Sequence, residues 1–311
     1  MADSHVIKGE VVPSLDKVKL PEQVSSESGG LVEFADSPKG VKYEERVVAF
    51  VDILGFSEII RKSRSDPELV ARIFDALDVR NDDWAKVYAA EIGAVKNPEE
   101  FDEFFYSFSD FITMSVKPEA EDIGLLIYTI FKVCRQLLGR GFASRGGIAE
   151  GQLFHRNGNV AEGKASAASS MIFGPAFIDA YQFESAHADG PRVILQGKVW
   201  QKIEDYKRKN PNTKLTKFFK VHIKRAEDGP AFIDLFADFH TNEYYENHRD
   251  LDSEMDRIKN YICESLDESI DRPLHFKKNA QLANEFNLAI RTAEKHAHMI
   301  PGSKLPKRSN S

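Results

Sequence analysis

Cysteine is nearly absent from this 311-residue chain, with Cys134 and Cys263 the only two. They lie far apart, without metal-ligand spacing and without a secretory leader ahead of them. Both are therefore expected to be reduced thiols in a cytoplasmic protein. Long hydrophobic runs are missing as well. Crossing a bilayer takes ~20 apolar residues, and the longest candidate, IGLLIYTIF at Ile123–Phe131, reads as a buried helix face, so no membrane association is expected. There is no excess of positive charge: the net charge of -7 argues against general nucleic-acid binding but leaves a local phosphate pocket open. The nine histidines pair with no cysteine or glutamate at zinc spacing, and His296 and His298 fall on different helix faces. GGIAEG does not sit between a first strand and a helix as a dinucleotide fold requires. There is no serine elbow and no repeat of fixed period.

What is present reads as a globular protein, 42% hydrophobic and 29% charged, long enough to bury a real core. Residues 1–43 are polar, contain SSESGG and lack periodicity, which predicts a flexible arm. A domain follows over 44–240. RVVAFVDIL is a buried strand, and Leu69, Ile73, Phe74 and Leu77 step as a helix does. EFFYSFSDFITMSV predicts two strands turning at Ser109 and Asp110. A helix is expected from Glu121 to about Leu138, and a strand pair in FASRGGIAEGQLF. Ser166–Ala186 is expected to form a helix with its approach, and KFFKVHIKRAEDGPAFIDLF a hairpin turning at Glu227–Gly229. This irregular alternation predicts an α+β fold, a mixed sheet with helices on one face. Residues 241–300 read as a C-terminal helical extension broken at Pro273, packing on the domain or on a second subunit or serving as a partner-binding module, and 301–311 as a tail.

One residue in the first strand stands out. Asp52 ends the apolar run VVAFVDILGFSEII, and a charge at the end of a buried strand is costly unless a cation, a cap or a turn compensates it. Asp110, at the tip of the next hairpin, is likewise flanked by apolar strand residues. If the strands are neighbours, both carboxylates leave the same sheet edge and need a shared proton or a divalent metal; two turn aspartates would give the same pattern. The loop LGFSE after Asp52 opens a helix whose N-terminal amides can meet a phosphate. A hard cation beside a phosphate-cradling loop suggests a nucleoside triphosphate.

These residues resemble the class III nucleotidyl cyclases. FVDILGFS (Phe50–Ser57) is similar to the family's first metal motif and FSD (Phe108–Asp110) to its second metal hairpin. RGGIAEG (Arg145–Gly151) is similar to the strand that follows, and FGPAFIDAYQFES (Phe173–Ser185) to the later helix. The four occur in the family's order over roughly 46–235. The resemblance implies a ferredoxin-like, palm-type sheet and the cyclisation of a nucleoside triphosphate by in-line attack on the α-phosphorus. Asp52, Asp110 and the Ile53 carbonyl would hold two divalent ions, Mn2+ or Mg2+. Amides at Gly55, Phe56 and Ser57, with Arg145, would hold phosphate oxygens; a surface salt bridge is the plain alternative for Arg145. A single catalytic domain implies a homodimer with shared sites.

The sequence also departs from the family. The pair that reads a purine falls on Tyr106 and Met171, and the transition-state asparagine and arginine fall on Ile178 and Gln182. Lys164, Arg192 or Lys224 could substitute, or the domain could be a non-catalytic nucleotide-binding or dimerisation module. The compact pattern looks most like the pyrimidine cyclases of the bacterial anti-phage system Pycsar. That likeness implies conversion of a pyrimidine triphosphate, UTP ahead of CTP, into a cyclic messenger read by a separate effector protein, with a purine cyclase as the alternative. Tyr106 would face the base, or else simply belong to the core.

Overall fold

The computed structural model describes residues 42–78, 84–92, 96–156, 171–225, 229–239 and 251–306. The arm expected over 1–43 falls outside them except for its last two residues, as do Lys164 and the end of the tail. The described residues belong to one compact unit, Lys42–Ser311.

In chain order the elements are β1 (Glu44–Ile53), α1 (Phe56–Ser63), α2 (Pro67–Leu77), α3 (Trp84–Ile92), β2 (Phe104–Phe108), β3 (Phe111–Val116), α4 (Ala120–Gly139) and β4 (Ser144–Arg156). They continue with β5 (Met171–Phe173), α5 (Pro175–His187), β6 (Val193–Leu195), α6 (Gly197–Lys209), α7 (Lys214–His222), β7 (Ile223–Arg225), β8 (Ala231–Ile233), α8 (Leu251–Glu268) and α9 (Pro273–Thr292). Strand order is β2-β3-β1-β4-β6-β8-β7, with β5 on the far end of β4. Every pair is antiparallel except β4 with β6. The first four strands, in order β4-β1-β3-β2 with helical crossovers, make a ferredoxin-like β-α-β-β-α-β unit. This is the mixed sheet expected from the sequence.

β1 is central because both of its faces are apolar. Val47, Ala49, Val51 and Ile53 enter the main core beneath α4, while Val48 and Phe50 pack on the other face against Ala176, Ala180 and Phe177 of α5. Alternation with period two sends neighbouring side chains to opposite faces. The expectation of helices on one face therefore needs correction, since α5 covers part of the second. Gly147 makes this possible: a Cβ there would overlap the carbonyl oxygen of Ala180, and one at Gly146 would come within 2.5 Å of the Phe50 carbonyl. The glycines let backbones approach rather than turn the chain, so RGGIAEG lies within one long strand, not a strand pair.

The expected hairpin from Lys217 also shortens. Lys214–His222 is α7, capped by the Thr213 hydroxyl accepting from the Thr216 amide at 3.2 Å. It buries Leu215, Phe218, Phe219 and His222 at helical spacing, leaving only β7 and β8 to pair. α8 and α9 add Met255, Ile258, Ile262, Phe286 and Ile290 to the core of α4. Buried Arg135 of α4 ties the layers together, meeting Glu254 at 3.1 Å and Asp238 at 3.2 Å with its guanidinium 4.1 Å from the centre of the Phe239 ring.

Candidate active site

Three segments converge at one end of the β1 strand. Asp52 is opposite Phe111 of β3 on one side and Arg145 of β4 on the other. β2 and β3 are joined by two residues, Ser109 and Asp110, with Ser109 in the left-handed region at φ 56°. The amide of Ile53 donates to the carbonyl of Asp110 at 2.8 Å, which pins the hairpin tip to the end of β1. Asp52, Ile53, Asp110 and Arg145 therefore share one edge of the sheet.

The electrostatics there are acidic. Asp52 and Arg145 are 26% and 27% exposed, with Arg145 Nη2 3.9 Å from Asp52 Oδ2. Burial pushes the Asp52 carboxyl up from 3.8 to about 6; Arg145 opposes the shift, while Asp110 and Glu184 add to it. Glu184, from α5, is only 1% exposed, forms an ion pair with Arg145 Nε through Oε1, and accepts from the Ser185 hydroxyl at 2.9 Å through Oε2. Sequence reading missed Glu184. Its signal was spacing: Ala176, Ala180 and Glu184 recur every four residues, placing a carboxylate on the small-residue stripe that faces the sheet.

Beyond Ile53, the Leu54 amide donates to the Ala143 carbonyl at 2.9 Å. Gly55 then adopts φ 71° as the N-cap of α1, where no side chain caps the helix. The space where its side chain would sit is open. Phe56 anchors the helix in the core while Ser57 is exposed. First-turn amides without a capping side chain are a ready anion site.

The remaining expected residues are not gathered here. Tyr106 lies in an aromatic row along β2, 6.3 Å from Phe104 and 6.5 Å from Phe108 between ring centres. Met171 is opposite Arg156, on the order of 35 Å along β4 from Arg145 at ~3.3 Å per residue. The His155 ring, next to Arg156, reaches within 5.3 Å of the Phe104 ring on β2, so the far end of β4 comes back toward the aromatic row that holds Tyr106. Ile178 and Gln182 are on the exposed side of α5. Arg192 is buried with its guanidinium 5.5 Å from the Phe232 ring centre, and Lys224 is ion-paired with Asp234.

The donors at the edge are two carboxylates and a backbone carbonyl, all oxygen, which suits a hard cation. Among the described residues no group of three or more His, Cys, Asp or Glu side chains could enclose a metal. The donor set fits instead the habit of Mg2+-type sites, one or two carboxylates completed by water and substrate phosphate.

No protein-family model matches the chain. No curated protein matches it. Among solved structures it is similar to a bacterial light-regulated adenylyl cyclase at 15% identity and TM-score 0.36, over 52% of this chain and 45% of that one. A second structure of a bacterial light-regulated adenylyl cyclase aligns at 13% identity and TM-score 0.34, over 72% and 60%. The chain spans less than two thirds of either.

Proposed function

We propose that the chain is a nucleotidyl cyclase that converts a pyrimidine ribonucleoside triphosphate, UTP before CTP, to its 3′,5′-cyclic monophosphate and pyrophosphate. The observation that carries the reading is the single edge on which β1 and the β2–β3 hairpin present Asp52 and Asp110 beside the uncapped amides of α1. Asp52, Asp110 and the Ile53 carbonyl are the residues to hold divalent ions. Such ions, when bound, supply Lewis acidity that lowers the pKa of a ribose hydroxyl and offsets phosphate charge. The chain itself orients the triphosphate. The Phe56 and Ser57 amides meet phosphate oxygens at the helix N-terminus. Arg145 is held at Nε by Glu184, leaving donors of its fork for the substrate.

One further feature supports shared sites in a homodimer. The sheet face beside α5 exposes Phe108, Ile178 and Tyr181. A second copy covering that face would bury apolar surface and bring the far half of one sheet to the aspartate edge of the other. Neither Tyr106 nor Met171 offers the polar pattern that reads adenine, which favours a smaller base. The cyclic product would act on a separate effector protein, as in the anti-phage systems that the sequence resembles. A non-catalytic nucleotide-binding module is the second reading, favoured by the apolar Ile178 and the exposed Gln182 on α5. The deciding experiment is incubation of the protein with each of the four ribonucleoside triphosphates and Mn2+, with products identified by mass spectrometry. Cyclic UMP in excess of the others is the expected result. Cyclic AMP or cyclic GMP as the main product would remove the pyrimidine assignment, and no cyclic product from any nucleotide would favour the second reading.

A further inference from the structure

Arginine beside a metal-binding aspartate poses a difficulty. A guanidinium is always charged and forms a strong bidentate pair with a carboxylate, so Arg145 could compete for Asp52 with any cation. Yet its nearest approach to Asp52 is 3.9 Å, beyond a hydrogen bond. What restrains it is Glu184, whose carboxylate takes the Nε side of the fork. Glu184 is in turn fixed by the Ser185 hydroxyl at 2.9 Å and by the position of α5. The helix can lie this close because Gly147, two residues beyond Arg145 and on the same sheet face, leaves room for the Ala180 carbonyl and the Glu184 amide.

We infer that Glu184 is a positioning residue that neutralises Arg145 and holds it off Asp52, so that the Asp52–Asp110 edge keeps the negative charge needed to bind divalent cations. The assignment rests on the cyclase reading for the identity of the metal edge but concerns cation affinity, not turnover. Among the described residues, the carboxylates of Asp110 and Glu184 and the guanidinium of Arg145 are the charges that act on Asp52. Removing the Glu184 charge leaves Arg145 uncompensated next to Asp52, whereas removing the Arg145 charge leaves Glu184 as additional negative charge.

The test is Mn2+ binding to the full chain without nucleotide, followed by calorimetry or by electron paramagnetic resonance of free Mn2+. Glu184→Gln should weaken binding roughly tenfold, the low end of what close charge pairs contribute. Arg145→Gln should tighten it, and Arg145→Gln/Glu184→Gln should return to within roughly threefold of the wild type, because the cycle isolates the coupling. A change of opposite sign in the two single variants is something structural damage does not produce. If Glu184→Gln does not fold, Arg145→Gln and the double variant still decide the matter. Single variants that bind Mn2+ as the wild type does, or a double variant as weak as Glu184→Gln, would overturn the inference while leaving the metal edge intact. A wild type that binds no Mn2+ would remove the metal edge itself, and the inference with it.

Discussion

Replacing Asp52 by asparagine should make the metal-free protein more stable, not less. Burial pushes its carboxyl up from 3.8 to about 6, a rise that Arg145 opposes and that Asp110 and Glu184 reinforce. An acid whose native pKa lies above its unfolded value binds more protons when folded. Its ionised form therefore costs stability, increasingly as pH rises from about 4 through about 6. A shift of roughly two pKa units corresponds to at most ~3 kcal/mol at pH 8, and partial exposure lowers this toward ~1 kcal/mol. Asp52→Asn removes the charge at constant shape. In EDTA at pH 8, urea denaturation should show a gain of roughly 1–3 kcal/mol over the wild type, shrinking to nothing near pH 4. Mn2+ should stabilise the wild type at pH 8 and have little effect on the variant, since only the charged edge binds it. An Asp52→Asn protein less stable than wild type at pH 8, or a difference that does not vary with pH, would refute the picture of a strained acidic edge awaiting a cation.

Asp110→Asn should lower cyclic nucleotide formation roughly 100-fold or more with the urea midpoint little changed, as measured by product chromatography and denaturation side by side. Gly147→Ala should cost roughly 1–3 kcal/mol by overpacking, read as a lower urea midpoint, because its Cβ has no room beneath Ala180; an unchanged midpoint would mean α5 does not sit on β4 as described. Sedimentation should show a dimer, and mixing Asp52→Asn subunits with Tyr106→Ala subunits should recover activity that neither has alone, which a fully active monomer would contradict.

Much of the site was legible from the chain alone for a local reason. Asp52 and Asp110 each interrupt an apolar strand pattern at its end, and such an interruption is visible wherever the period of two is clear. The hairpin at Ser109 and Asp110 followed from flanking strands separated by two residues, and α4 from its unbroken apolar length. Glu184 was not legible, because a glutamate on a helix is ordinary until its neighbours at four-residue steps are known to face a sheet. α7 was misread as strand for a similar reason: FFKVHI suits either period, and the Thr213 cap together with burial of Phe218 and Phe219 decided for helix.

The sequence by itself determined most of the strand and helix pattern and the acidic residues at the ends of β1 and the first hairpin, because these are matters of local periodicity. Only the tertiary structure decided that β4 lies beside β1, so that Arg145 is opposite Asp52. It also put α5 on the second face of the sheet, where Gly147 admits its backbone, and so put Glu184 against Arg145. Those contacts join residues distant in sequence, and their balance of charge depends on separation and burial, quantities that exist only once the sheet has paired and the helix has docked.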